Sequence, residues 1–149
     1  MVNLTFYYDI EGSGGSSFVN LRERKNIDKV SVKTELFDNF MINNKIEKID
    51  FIKCDVEGSE LFVFEGCINS IKEFKLIIFT VMLRKWSAKF NYTPNNIIQL
   101  LGNIGYECFA ISDNKQLRYC PKVTEDTIET NYYILHKEKH KSIVEKFLL

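Results

Sequence analysis

KIDFIKCDVEGSELFVFEG, residues 48–66, is the stretch whose reading decides the fold. Ile49, Phe51, Ile52 and Cys54 make a short apolar run with β-branched and aromatic members, the composition of a buried strand. The run stops at Asp55-Val56-Glu57-Gly58-Ser59-Glu60, three carboxylates around a glycine. A helical pattern follows Gly58, with Leu61, Phe62 and Phe64 apolar, and runs to about Phe64 ahead of Gly66. Ligands of open α/β sheets bind at the carboxyl ends of strands. The acidic turn is therefore the first candidate site.

Working outward, Ile68–Phe74 reads as a second helical segment. Leu76–Val81 is the most apolar strand of the chain, a pattern that predicts a parallel strand buried on both faces. Strand, helix and strand make a right-handed βαβ unit. Thr93-Pro94 opens a helix with Pro94 in its first turn. Ile97, Ile98, Leu100, Leu101 and Ile104 form its apolar face, and Gly105 is its C-terminal cap. Tyr106–Ile111 is the next strand, Asp113-Asn114-Lys115 a turn, Asn131–Leu135 the last strand, and Lys139–Leu149 a short amphipathic helix. Upstream, Val30–Lys33 alternates as a strand. Thr34 is placed to cap a helix that buries Leu36, Phe37 and Phe40, keeps Asp38 outward and breaks at Asn43-Asn44-Lys45. Leu4–Ile10 reads as a strand, residues 11–17 as a glycine–serine loop, and Phe18, Val19 and Leu21 as a return to extended structure. The expected organisation is one α/β domain over 1–149, with a hairpin-like excursion in 1–33 and the layered core in 34–149.

Composition bounds the function. The chain has 149 residues, 45% of them hydrophobic and 27% charged, which excludes a disordered segment. Twenty basic side chains balance 20 acidic ones, so there is no nucleic-acid footprint and no polybasic membrane patch. No apolar run approaches a membrane span. The first residues lack the basic and apolar regions of a secretory signal. Cys54, Cys67, Cys108 and Cys120 include no C-x-x-C pair, and all four are expected to be reduced, in a cytoplasmic protein.

Several groups are chemically suggestive, each beside a plainer reading. Asp55 and Glu57 can bind a hydroxyl-bearing ligand, hold a divalent cation or act as a base. Equally, carboxylates at a helix N-terminus interact favourably with its dipole, and Glu60 is assigned that role. Arg84, Lys85 and Trp86 can hold an anionic or sugar-like substrate by charge and stacking, or form a solvated loop with Trp86 packed on the domain. His136 and His140 have the i, i+4 spacing of half a metal site. With no H-E-x-x-H motif, they are expected to be surface histidines. Gly12, Gly14 and Gly15 do not complete G-x-G-x-x-G and open no helix, so they read as a surface loop. Asn3 and Asn91 match the glycosylation pattern by coincidence.

Residues 50–66, DFIKCDVEGSELFVFEG, resemble the FkbM family of S-adenosylmethionine-dependent methyltransferases. The resemblance rests on Asp50, Phe51, Ile52, Lys53, Asp55, Glu57, Gly58, Glu60 and Gly66. Gly14-Gly15-Ser16-Ser17 is similar to an upstream G-G-S-S stretch of the family, and Val32–Phe40 to its T-L-D segment, here interrupted by Phe37. Another departure is Thr80, where the family commonly carries a glutamate after I-I-F. The resemblance implies the second half of a Rossmann-like class I methyltransferase sheet, mainly parallel with an antiparallel last strand.

It further implies S-adenosylmethionine as cofactor, O-methylation as activity and a small-molecule, glycan or lipid acceptor. Asp55 and Glu57 would be the catalytic residues, Asp55 and Gly58 would face the cofactor, and Arg84 and Trp86 the substrate; no metal is assigned. The half carrying the cofactor's glycine-rich loop is not represented. A sheet cut beside its central strand leaves an edge to be covered by the N-terminal hairpin, a homodimer or a partner chain. The second reading is a non-catalytic remnant or binding subunit of the same fold.

Overall fold

The structure is a computed structural model that describes residues 2–8 and 15–149. The expected glycine loop at Gly12–Gly14 lies outside the described residues. Two sheets form. Strands β1 (Val2–Tyr8) and β2 (Asp28–Thr34) pair antiparallel as a two-stranded ribbon, with Val2 opposite Thr34 and Tyr8 opposite Asp28. The expected hairpin is therefore present, but its returning strand is β2. Phe18–Leu21 forms bends and turns instead, attached to β1 where Tyr7 and Ser17 exchange backbone hydrogen bonds of 2.8 and 3.0 Å.

The second sheet has five strands: β3 (Phe51–Cys54), β4 (Ile77–Val81), β5 (Tyr106–Ile111), β6 (Leu117–Tyr119) and β7 (Asn131–His136). Their spatial order is β3-β4-β7-β5-β6. Only β3 and β4 pair parallel; every other neighbouring pair is antiparallel. The expectation of a mainly parallel sheet is thus corrected to a mixed one. The last strand does run antiparallel, as expected. It enters between β4 and β5, which separates two strands that run in the same direction. β6, a three-residue hairpin partner of β5, has no counterpart in the sequence reading.

Helices α2 (Glu60–Gly66), α3 (Ile68–Phe74) and α5 (Pro94–Gly102) cover one face of the sheet. Beneath them lie Phe64, Ile71, Ile78, Ile97, Leu101, Tyr132 and Ile134, all essentially removed from water. The Thr93 cap and first-position Pro94 start α5 as the sequence implies. The other face is only partly covered. Helix α6 (Lys141–Phe147) sets Ile143 and Val144 against Phe109, Leu117 and Leu135. β4 is correspondingly buried through Ile78 and Thr80 but only half-buried at Ile77, Phe79 and Val81, not dry on both sides.

Helix α1 (Phe37–Asn43) departs most from the reading. Thr34 ends β2, where its hydroxyl donates to the Val2 carbonyl at 3.1 Å, and Leu36 stands at the helix cap position. Leu36 and Phe40 are exposed. Asp38 is not outward. Its carboxylate accepts from the Asn69 N–H (3.1 Å), the Ser70 N–H (2.9 Å) and the Ser70 hydroxyl (2.6 Å). It thereby caps α3 from a different element, serving two of the four donors that a helix start leaves unpaired. Burial raises the Asp38 carboxyl pKa, but these donors outweigh it and hold the group below its usual range.

Candidate functional site

The acidic turn joins the carboxyl end of β3 to α2. Glu57 and Gly58 both take positive φ, +52° and +99°, a sharp reversal that aims the chain from strand into helix. Glu60, only 3% exposed, holds that reversal from inside. Its Oε1 accepts the Val56 N–H at 3.2 Å and the Gly58 N–H at 3.1 Å. Tyr92, from the segment before α5, lays its hydroxyl 3.2 Å from Glu60 Oε2, donates to the Gly58 carbonyl at 2.8 Å and accepts the Leu61 N–H at 3.4 Å. Burial, then the Glu60 charge, raises the Tyr92 phenol pKa, so it stays protonated as the donor the turn needs. Glu60 is thus a structural brace with its acceptors engaged, more than a charge at a helix end.

The sequence reading missed Tyr92 and two further supports of this turn. Ser17, fully buried, donates its hydroxyl to the Glu57 carbonyl at 2.9 Å, 40 positions along the chain. The G-G-S-S stretch was the available signal. The second support is packing. A Cβ on Gly58 would stand 2.9 Å from the Trp86 carbonyl carbon, the Trp86 carbonyl oxygen and Phe90 Cε2. Trp86, on helix α4 (Arg84–Ser87), thus meets the turn through its backbone.

Asp55 and Glu57 are left for chemistry. Asp55 is exposed, and its one described partner is Lys53, at 3.1 Å across an ion pair open to solvent. The Glu57 carboxylate makes no hydrogen bond or ion pair among the described residues. The structure brings Asp55, Glu57 and Gly58 together at one strand end. Arg84 is turned elsewhere: its guanidinium donates to the Glu125 carbonyl at 2.9 Å, in a groove walled by the 123–130 segment. The Trp86 ring carries the Lys85 ammonium at 4.4 Å from its centre.

Thr80 presents no group to a ligand. It is fully buried opposite Cys54 on β3 and Tyr132 on β7, and its hydroxyl oxygen makes no hydrogen bond among the described residues. Thr80→Val is therefore expected to raise stability by about 1 kcal/mol, because an unpaired buried hydroxyl is replaced by a methyl of similar shape. A fall in the urea midpoint of that variant would show a hydrogen-bonded hydroxyl.

His136 and His140 are not surface residues; both are buried. His140 Nδ1 accepts the His136 backbone N–H at 2.9 Å, and His136 Nδ1 lies 3.3 Å from the backbone nitrogens of Glu138 and Lys139. Both rings close the turn into α6 as neutral acceptors. Burial depresses both pKa values, with Lys75 and Lys139 adding to it at His136 and Lys139 and His136 adding to it at His140. The unfolded chain takes up protons near pH 6.5, before the folded one does. Stability is thus full above that pH and declines as the pH falls through it toward the folded values. Urea midpoints compared at about pH 7.5 and 5.5 check this, and the decline should shrink in His140→Gln.

Among the described residues, no cluster of three or more histidine, cysteine or acidic side chains can hold a metal ion, and no helix is long and apolar enough to cross a membrane. The profile of the methyltransferase FkbM domain family matches residues 2–108, a span that contains the whole acidic turn and its supports. No curated protein and no solved structure matches the chain.

Proposed function

Because the chain belongs to the methyltransferase FkbM domain family, we propose that it serves the transfer of a methyl group from S-adenosylmethionine to a substrate hydroxyl. The observation that carries this reading is the division of labour among the acids of one turn. Glu60 is consumed in holding the backbone, whereas Asp55 and Glu57 keep carboxylate oxygens available beside it. Those acceptors suit the cofactor: carboxylates accept from ribose hydroxyls and from an ammonium group, and their charge favours a neighbouring sulfonium. Gly58, with no side chain and its N–H committed to Glu60, lets Trp86 and Phe90 pack close behind the turn and so fixes where the two free carboxylates stand. S-adenosylmethionine supplies an electrophilic methyl carbon when bound. Asp55 and Glu57 would orient the acceptor hydroxyl and take its proton, and most of the rate gain would come from positioning. Trp86, on the helix seated against the turn, would lie on the acceptor side, whereas Arg84 would reach the acceptor only by leaving the Glu125 carbonyl. A partial Rossmann-like arrangement accommodates this, with β3 and β4 as its parallel pair. The four free cysteines suit a reducing, cytoplasmic setting.

A second reading rests on the position of β3. It is the outer strand of its sheet, so the acidic turn stands at an edge and the described residues wall it from one side. A binding subunit, without catalysis of its own, would have the same arrangement, and a second copy or another chain would close the far side. Calorimetric titration with S-adenosylmethionine and S-adenosylhomocysteine separates the readings. Saturable binding by the folded chain, weakened at least tenfold in the pair Asp55→Asn, Glu57→Gln, supports the first. A folded chain that binds neither compound overturns it in favour of the second.

A further inference from the structure

Cys108 and Cys120 face each other across the β5–β6 hairpin. The ladder sets Phe109 opposite Tyr119, so the next rung opposes the two cysteines, and the Cys120 N–H donates to the Cys108 carbonyl at 2.9 Å. Opposed residues joined this way in an antiparallel ladder have Cα atoms about 5.5 Å apart, inside the Cα range of disulfides. Opposed residues of a ladder share one face of the sheet, so the two thiols stand side by side, and the Cys120 thiol also donates to the Lys122 carbonyl at 3.6 Å. Both residues are buried, at 1% and 4% exposure, yet Cys120 helps to line a surface pocket of about 340 Å³ with Arg118, Pro121, Lys122, Thr127 and Glu129.

From this geometry we propose that Cys108 and Cys120 are a redox-active thiol pair, which small hydroperoxides entering the Cys120 pocket convert to an intramolecular disulfide. The electrostatics agree. Hydrogen bonding to the Cys108 thiol, together with the nearby Arg118 guanidinium, draws the Cys120 thiol down to about 7 against the opposing effect of burial. Cys108 is pushed well up by the same hydrogen bond and by burial. Burial raises Cys54 and, to about 12, Cys67, so neither competes as a thiolate.

The chemistry closes on these two sulfurs. The Cys120 thiolate attacks one peroxide oxygen and the O–O bond breaks. Sulfur is oxidised to a sulfenic acid, while the other oxygen takes a proton from water and leaves as an alcohol, or as water when the oxidant is hydrogen peroxide. The Cys108 sulfur then attacks the sulfenic sulfur. An S–S bond forms, the S–O bond breaks, and hydroxide departs as water with the Cys108 proton. The product pins the start of the 121–130 segment, whose Glu125 carbonyl holds Arg84. The proposal does not depend on the methyl-transfer reading.

The folded chain is treated with hydrogen peroxide and, separately, with oxidised dithiothreitol, and is then analysed by intact mass and by mapping of disulfide-linked peptides. The expected result in both is the loss of two hydrogens, a single Cys108–Cys120 link, and free Cys54 and Cys67. Cys120→Ser should abolish the mass change. Cys108→Ser, treated with peroxide and dimedone, should trap the sulfenic acid on Cys120. A chain that stays reduced under both oxidants overturns the proposal, as does a link that involves Cys54 or Cys67, or a dimedone adduct on any other cysteine.

Discussion

Gly58→Ala is expected to destabilise the chain by about 3 kcal/mol, summing a positive-φ penalty of about 1–2 kcal/mol and an overpacking term of similar size. The two causes are independent. The backbone at Gly58 sits at φ +99°, which an L side chain rarely adopts. The added methyl would also meet the Trp86 carbonyl group and Phe90 Cε2, each 2.9 Å away. Two of those three contacts are backbone, so relief requires α4 to move as a unit. Domains of this size hold only about 5–15 kcal/mol in reserve, which makes the loss visible as a large drop in the urea midpoint. A change below about 1 kcal/mol would mean that α4 is not seated on the turn as described.

Glu60→Ala is expected to cost about as much, near 3 kcal/mol, by a different route. The change removes the shared acceptor of the Val56 and Gly58 N–H groups and leaves the buried Gly58 N–H without a partner, the Val56 N–H lying nearer to solvent. Glu60→Gln separates geometry from charge. Its amide oxygen can still accept both N–H groups, whereas its NH₂ must face a Tyr92 hydroxyl that already accepts from Leu61 and donates to Gly58. The glutamine variant should therefore recover more than half of the alanine loss. Equal losses in the two variants would show that the negative charge, not the acceptor geometry, holds the turn. Denaturant unfolding of the pair, with Tyr92→Phe as a third point, distinguishes these outcomes.

Local pattern was a good guide wherever local pattern decides. Ile68–Phe74 and Tyr106–Ile111 form at the expected residues, and Thr93-Pro94 starts its helix. The acidic turn was legible as the reversal from strand to helix because carboxylates and glycine at a strand end are a local signal. What failed depended on distant partners. Thr34 has the chemistry of a cap, but β1 recruits it into a ladder through the Val2 carbonyl. Asp38 reads as outward within its own helix; only the approach of α3, some 30 positions later, reveals it as that helix's cap. The histidines look like surface residues because the backbone donors that bury them are supplied by the turn's own fold. The place of β7 between β4 and β5 is a choice of pairing partner, which no periodicity within β7 encodes. The braces Ser17 and Tyr92 act on Glu57 and Gly58 from 40 and 34 positions away, beyond the reach of a motif.

The open edge of β3 has a symmetry of its own. Two copies joined edge to edge and antiparallel would be related by a two-fold axis perpendicular to the sheet, which keeps each face on its own side. Opposed residues must then share a face, and successive residues of a strand do not. With the axis at Phe51, Asp50 would oppose Ile52, Lys53 would oppose Ile49 and Lys48 would oppose Cys54. With the axis at Ile52, Lys53 would oppose Phe51, Asp50 would oppose Cys54 and Asp55 would oppose Ile49. Neither register brings an acid against a base, and an axis at Asp50 or Lys53 sets like charges on each other. The charges that flank this strand satisfy one another within the chain instead, Lys48 with Asp50 and Lys53 with Asp55. Only an axis at Cys54, the last residue of the strand, sets Lys53 against Asp55, so self-pairing there would exchange ion pairs within each chain for equivalent ones between copies.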